Sequence, residues 1–201
     1  AIASGAGSAG AGAVNGGQVE VAGHAQGVSY GAFANTPGSS VTVAGHAIAS
    51  GAGGSGARVD NGGSAVITGN AEGVSYGVYA VDAASSINVG GNATASGAAG
   101  TGAHAGSGAA VVVTGHTAGA YAGAFADGAG SSIAVGGHAT SGSNYGASAS
   151  DEGEITIDGG ITAPVYIRVG TSNKGIDDYE AVATKPGYRE YTDGDSTVWV
   201  R

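Results

Sequence analysis

Six polar side chains recur at one position of a repeating pattern: His24, His46, Asn70, Asn92, His116 and His138. Each follows a glycine, and successive members stand 22 or 24 residues apart. Imidazoles in this arrangement raise two chemistries. The first is metal binding, for which His24 with His46, or His116 with His138, are the candidate ligands. A protein metal site usually needs a third ligand and outer partners that orient the first shell, and no carboxylate column accompanies these histidines. The second is a polar ladder at a corner, where Asn and His bond backbone groups of the turn. The pattern favours the ladder. His104 stands outside the column and is expected to be solvated.

The one dense acidic patch is Asp151, Glu152, Glu154 and Asp158. Calcium takes six to eight oxygens, often from clustered carboxylates, so a site near residues 151–158 is a candidate. The spacing matches no loop signature, including the Gly-Asp nonapeptide of calcium-bound β-rolls. A charged, solvated turn is the expectation, and neither a metal nor a cofactor is assigned.

Catalytic constellations are weaker still. Up to residue 150 there is one base, Arg58, and the acids Glu20, Asp60, Glu72, Asp82 and Asp127 are scattered among Gly, Asn and Ala. Asp60, Asp82 and Asp127 fall near one turn region, but paired carboxylates for glycoside hydrolysis must converge to about 5–9 Å. The glycines of GAGSAGAG reach phosphate-loop density without the following Lys-Ser/Thr or a helix to aim at phosphate. No nucleophile–base pair stands out among the serines.

The elements that must position these residues are set by a repeat. AIASGAG occurs at residues 1–7 and again at 47–53; GVSYGAFA at 27–34 returns as GVSYGVYA at 73–80 and GAYAGAFA at 119–126. A unit of 46 residues that cannot bury its apolar face alone must stack on its neighbours. Within it, VEV, VTV, AVI, INV, VVV, IAV and ITI start at residues 19, 41, 65, 87, 111, 133 and 155. Their outer positions are uniformly apolar and their central ones, Glu20, Thr42, Val66, Asn88, Val112, Ala134 and Thr156, are mixed. That is the two-residue period of a strand with one buried face. Helices are disfavoured because each glycine costs a helix interior about 1 kcal/mol and the chain holds 43. Phe33, Tyr79 and Phe125 stand 46 apart and should share one site on every second rung, filling a groove or offering a stacking platform.

The expected fold is therefore all-β: a right-handed, single-stranded parallel β-helix of about seven rungs of 22–24 residues over 1–160. The composition changes over residues 161–201, which carry four of nine tyrosines, Trp199, two of three prolines and half the charges. This segment is expected to be a C-terminal β cap or transition segment, because a solenoid's last rung exposes apolar cross-section and unpaired backbone. The chain starts in mid-repeat and has no methionine, so it reads as a fragment with further domains in a longer chain.

The rungs, of pattern [VI]-x-[VI]-x-G-[HN], resemble the β-helical repeats of large adhesin-like bacterial surface proteins, most closely those of gut Firmicutes. The tail YREYTDGDSTVWVR is similar to segments that follow such repeats. The resemblance implies an extracellular, cell-wall or cell-surface, non-enzymatic stalk or adhesive module, with a glycan or a host surface protein as partner. It supplies no site residues, and the same fold carries enzymes. The runner-up is a pectate-lyase-like, carbohydrate-active fragment. Ice binding needs a flat threonine array, which the mixed outward column breaks. With six Lys and Arg in all and a net charge of −9, nucleic acid is not an expected partner. No apolar run approaches the ~18 residues of a membrane helix, and zero cysteines exclude disulfides.

Overall fold

The computed structural model describes residues 1–201. The chain is built of strands and turns, with no helix and therefore none long and apolar enough to cross a membrane. The first full turn comprises Ala9–Val14, Gln18–Val21 and Ala25–Gly27. Strands of about six, four and three residues then recur in that order, the seventh turn being Tyr145–Ser150, Glu154–Ile157 and Ile161–Thr162. Corresponding strands pair in parallel from turn to turn, which makes three sheets running the length of a β-solenoid. The first sheet holds the six-residue strands, the second the four-residue strands and the third the three-residue strands.

The register confirms the strand faces. Val19 pairs with Val41, Val41 with Ala65, and Ile87 with Val111. From Val41 onward those residues and the ones two positions on, such as Val43, Ile67, Val89 and Val113, are buried in one 37-residue apolar cluster, and Val19 and Val21 of the first turn pack against it half-buried. Glu20, Thr42, Val66, Asn88, Val112 and Ala134 stack on the outside of the same sheet. The interior is narrow and filled largely by Ala, Val and Ile. Where the first and third sheets meet, backbone packs on backbone. A Cβ at Gly31 would overlap the main chain of Ala47 and Ile48, and at Gly56 that of Ala71 and Glu72.

Two turn types, alternating, explain why the repeat is two rungs long. On odd turns the first and second sheets are joined through left-handed pairs: Asn15–Gly16 (φ 54° and 78°), Asn61–Gly62 and Ser107–Gly108, a conformation that Gly and Asn adopt at least cost. On even turns the joint is longer, with positive φ at Thr36 and Gly38, Asp82 and Ala84, Gly128 and Gly130. The two types interlock. Gly16 N–H donates to Ser39 Oγ (3.0 Å), Gly62 N–H to Ser85 Oγ (2.9 Å) and Gly108 N–H to Ser131 Oγ (2.9 Å), and these three serines are each about 1% exposed.

The ladders cross the boundary expected at residue 160. Val165–Val169 continues the first sheet in parallel on Tyr145–Ala149. The last strand, Thr197–Val200, continues the second sheet in parallel on Glu154–Ile157. Ser196 Oγ accepts the Glu152 N–H at 3.2 Å, the same relation that Ser131 has to Gly108. Ile161–Thr162 completes the seventh turn, and the residues after it are a partial eighth turn with an insertion between its two strands. The insertion folds back as Ser172–Lys174, antiparallel to Ile167–Val169, and Arg189–Thr192, antiparallel to Thr197–Val200. Trp199 stacks on the outside of the second sheet beside Thr156. Tyr191 is buried, 0% exposed, with its hydroxyl donating to Ile176 O at 2.8 Å.

Candidate functional site

The outward face of the first sheet carries the largest run of aromatic side chains. In each six-residue strand the fourth residue points out, and register stacks Gly12, Phe33, Arg58, Tyr79, His104, Phe125, Ser148 and Arg168 in one column. Phe33, Tyr79 and Phe125 do share a site on alternate turns, as their spacing predicts, and Arg58 and His104 stand between them. The first residues of the strands form a parallel column that includes Tyr30, Tyr76 and Tyr145. At a strand spacing of about 4.8 Å, the stripe from Phe33 to Arg168 is roughly 29 Å long.

The rings interlock along it. Tyr30 stacks on Phe33 (4.9 Å), His104 packs edge-on to Tyr79 (4.8 Å) and Phe125 (5.1 Å), and Tyr121 packs edge-on to Tyr145 (5.7 Å). The Arg58 guanidinium lies 5.7 Å from the Tyr30 ring centroid and 5.0 Å from that of Tyr79. Its Nε donates to Asp60 Oδ2 at 2.8 Å, and Asp60 is 7% exposed. Burial alone would lower the Arg58 pKa, but Asp60 outweighs it and the pKa is raised. At the far end Arg168 lies over Tyr145 (5.3 Å) and donates to its hydroxyl.

His104 is not solvated, as its isolation in sequence suggested. Its side chain is 16% exposed, and Nε2 meets Asp127 Oδ1 at 2.7 Å. Burial pushes its pKa down and the Asp127 bond partly opposes that. Sequence spacing carried a signal for this role: His104 lies 46 residues after Arg58, in the same column.

The His/Asn column is a continuous chain of hydrogen bonds. His46 N–H donates to His24 Nδ1 (2.9 Å), Asn70 N–H to His46 Nδ1 (2.9 Å), Asn92 N–H to Asn70 Oδ1 (3.0 Å), His116 N–H to Asn92 Oδ1 (2.8 Å), His138 N–H to His116 Nδ1 (2.8 Å) and Gly160 N–H to His138 Nδ1 (2.8 Å). Rings stack within each pair, His24 on His46 at 4.8 Å and His116 on His138 at 5.2 Å. Each ring nitrogen facing the backbone is occupied as an acceptor.

The acids are dispersed. Glu152 and Glu154 line a shallow depression with Ser131 and Asp195, Asp158 accepts the Tyr188 hydroxyl, and Asp151 forms the turn with Glu152. No three His, Asp or Glu side chains converge as a metal-binding group anywhere in the chain. Asp60 and Asp127 are three strand steps apart in the first sheet, about 14 Å at the usual strand spacing, beyond the separation for concerted acid–base work. Asp82 accepts the Asn61 N–H at 3.3 Å, and Glu72 accepts from Asn70 on another sheet.

Fold and surface together define the class, a parallel β-solenoid repeat module with an aromatic stripe on one sheet. No family model, no curated protein and no solved structure matches this chain.

Proposed function

We propose that this chain is a non-enzymatic structural and adhesive module of a bacterial cell-surface protein, holding out the first sheet as its contact face to a glycan or a host surface protein. The observation that carries this reading is the stripe itself: aromatic rings, half-exposed, at regular intervals along a rigid rod. Aromatic faces take the apolar faces of sugars and the side chains of proteins alike, at little conformational cost. The two carboxylates of the first sheet, Asp60 and Asp127, are three strand steps apart and each is engaged by a basic neighbour, Arg58 or His104, which supports a scaffold rather than a hydrolase or lyase. The solenoid suits display, because each turn contacts only its neighbours and length adds reach without altering the face.

A glycan-array screen of the protein beside a Phe33→Ala/Tyr79→Ala variant tests the reading. Binding that is lost in the variant, with melting behaviour retained, is the expected result. Cleavage of polygalacturonate by the unmodified protein would instead establish the lyase alternative.

A further inference from the structure

The two halves of the stripe are related by the 46-residue repeat, and they differ in what fills the space between the rings. In the first half, the space between Tyr30 and Tyr79 is filled by the chain's own Arg58 guanidinium. In the second half the corresponding walls are Tyr76 and Phe125, and the corresponding residue is His104. Imidazole is shorter than the arginine side chain, and Gly106 stands where Asp60 would anchor a cation. His104 therefore reaches to Asp127 on the next turn. What remains is an open depression lined by Tyr76, Ala99, Thr101, His104, Tyr121 and Phe125.

We propose that this depression binds the guanidinium of an arginine side chain presented by a partner polypeptide. The chain itself displays the fit one repeat away, where a guanidinium lies within cation–π range of two rings. The second depression adds a third ring, Tyr121, in place of the missing internal cation. Asp127 is not part of the lining; it holds the far nitrogen of His104 at 2.7 Å and so fixes the imidazole as one wall of the depression. Burial favours the neutral form of His104, so the wall does not repel a cation near neutral pH. The net charge of −9 steers a basic segment toward the surface. A planar guanidinium suits this geometry better than an ammonium, since it is more weakly hydrated and stacks flat on aromatic rings.

This inference rests on the first sheet being the contact face, and it selects a polypeptide over a glycan at this one position. An NMR titration with the blocked peptide Gly-Arg-Gly, its citrulline counterpart and a cello-oligosaccharide tests it. The arginine peptide should shift the Ala99, Thr101 and Tyr121 resonances saturably, with the citrulline peptide binding at least about tenfold more weakly. His104→Arg, which refills the depression from within, should abolish the shifts. Tyr121→Ala should weaken binding, whereas Val66→Ala, on the outer face of the second sheet, should not. Equal binding of the citrulline peptide, undiminished binding to a folded His104→Arg variant, or no saturable shift would overturn the proposal. A glycan-array hit dependent on Phe33 and Tyr79, without arginine binding, would sink this inference alone; failure of both ligand classes would sink the contact face as well.

Discussion

His116 accepts the backbone N–H of His138 through Nδ1 at 2.8 Å, while the two rings lie 5.2 Å apart and within 10° of parallel. The imidazole thus does for the next turn what the Asn92 and Asn70 carboxamides do for theirs. Function follows from acceptor position, not from the ring. His116→Asn should therefore melt within about 0.5 kcal/mol of the parent, whereas His116→Leu, which leaves the His138 N–H without its acceptor, should lose about 1 kcal/mol. Zinc or nickel should leave the melting temperature of the parent unchanged, since a ligand stabilises only by binding the native state. A metal-dependent rise that vanishes in His116→Asn would reverse the assignment.

Thr117 Oγ1 is buried without a hydrogen-bond partner. Its column in the third sheet is otherwise apolar nearby, with Ala71, Ala93 and Ala139 in register. An unsatisfied buried hydroxyl costs about 1–3 kcal/mol. Thr117→Val keeps the shape and removes the hydroxyl, so the variant should unfold at a higher temperature and higher denaturant concentration. An equal or lower midpoint in urea would show that the hydroxyl is satisfied in solution.

Two buried titrating groups set limits on the pH range of stability. Burial, with Tyr166 adding to it, pushes the Tyr191 phenol from 10.0 up to about 12. The unfolded chain ionises first, so this contribution is complete below pH 10 and is lost as pH rises from 10 toward about 12. For His104 the folded pKa lies below the ordinary 6.5. Its contribution is complete above 6.5 and declines as pH falls below it, because the unfolded state takes up the proton first. Melting curves across pH should show a shallower alkaline limb in Tyr191→Phe and a shallower acidic limb in His104→Gln. Parallel profiles for parent and variants would rule these groups out as the source.

Removing residues 161–201 strips the partial eighth turn from the strands Tyr145–Ser150 and Glu154–Ile157. The N–H and C=O groups of that edge lose their partners, and Ile155 and Ile157, each no more than 1% exposed in the whole chain, face solvent at the cross-section. Open parallel edges template association. Light scattering should find the 1–160 fragment oligomeric where the full chain is not. A monomeric fragment of equal heat stability would mean that the eighth turn adds nothing to the rod.

The strand faces, the rung count and the His/Asn column were legible because they depend on local alternation and a fixed period. Val89 is buried and Asn88 exposed for reasons visible in three consecutive residues. The last strand was legible too, in retrospect: DSTVWV at 195–200 matches GSSVTV at 38–43 and GSSIAV at 130–135, the serine being the residue that bonds the preceding turn. The insertion before it obscures the period, so by sequence the tail reads as a C-terminal cap or transition segment. The partnership of His104 with Asp127 was decided by tertiary structure alone. It joins residues 23 apart in sequence across two stacked turns, and it forms because Gly106 removes the nearer carboxylate that Arg58 finds in Asp60. Periodicity specifies which residues share a column. Which side chain fills the space between columns depends on length, charge and neighbours on adjacent turns, and these meet only once the chain has coiled.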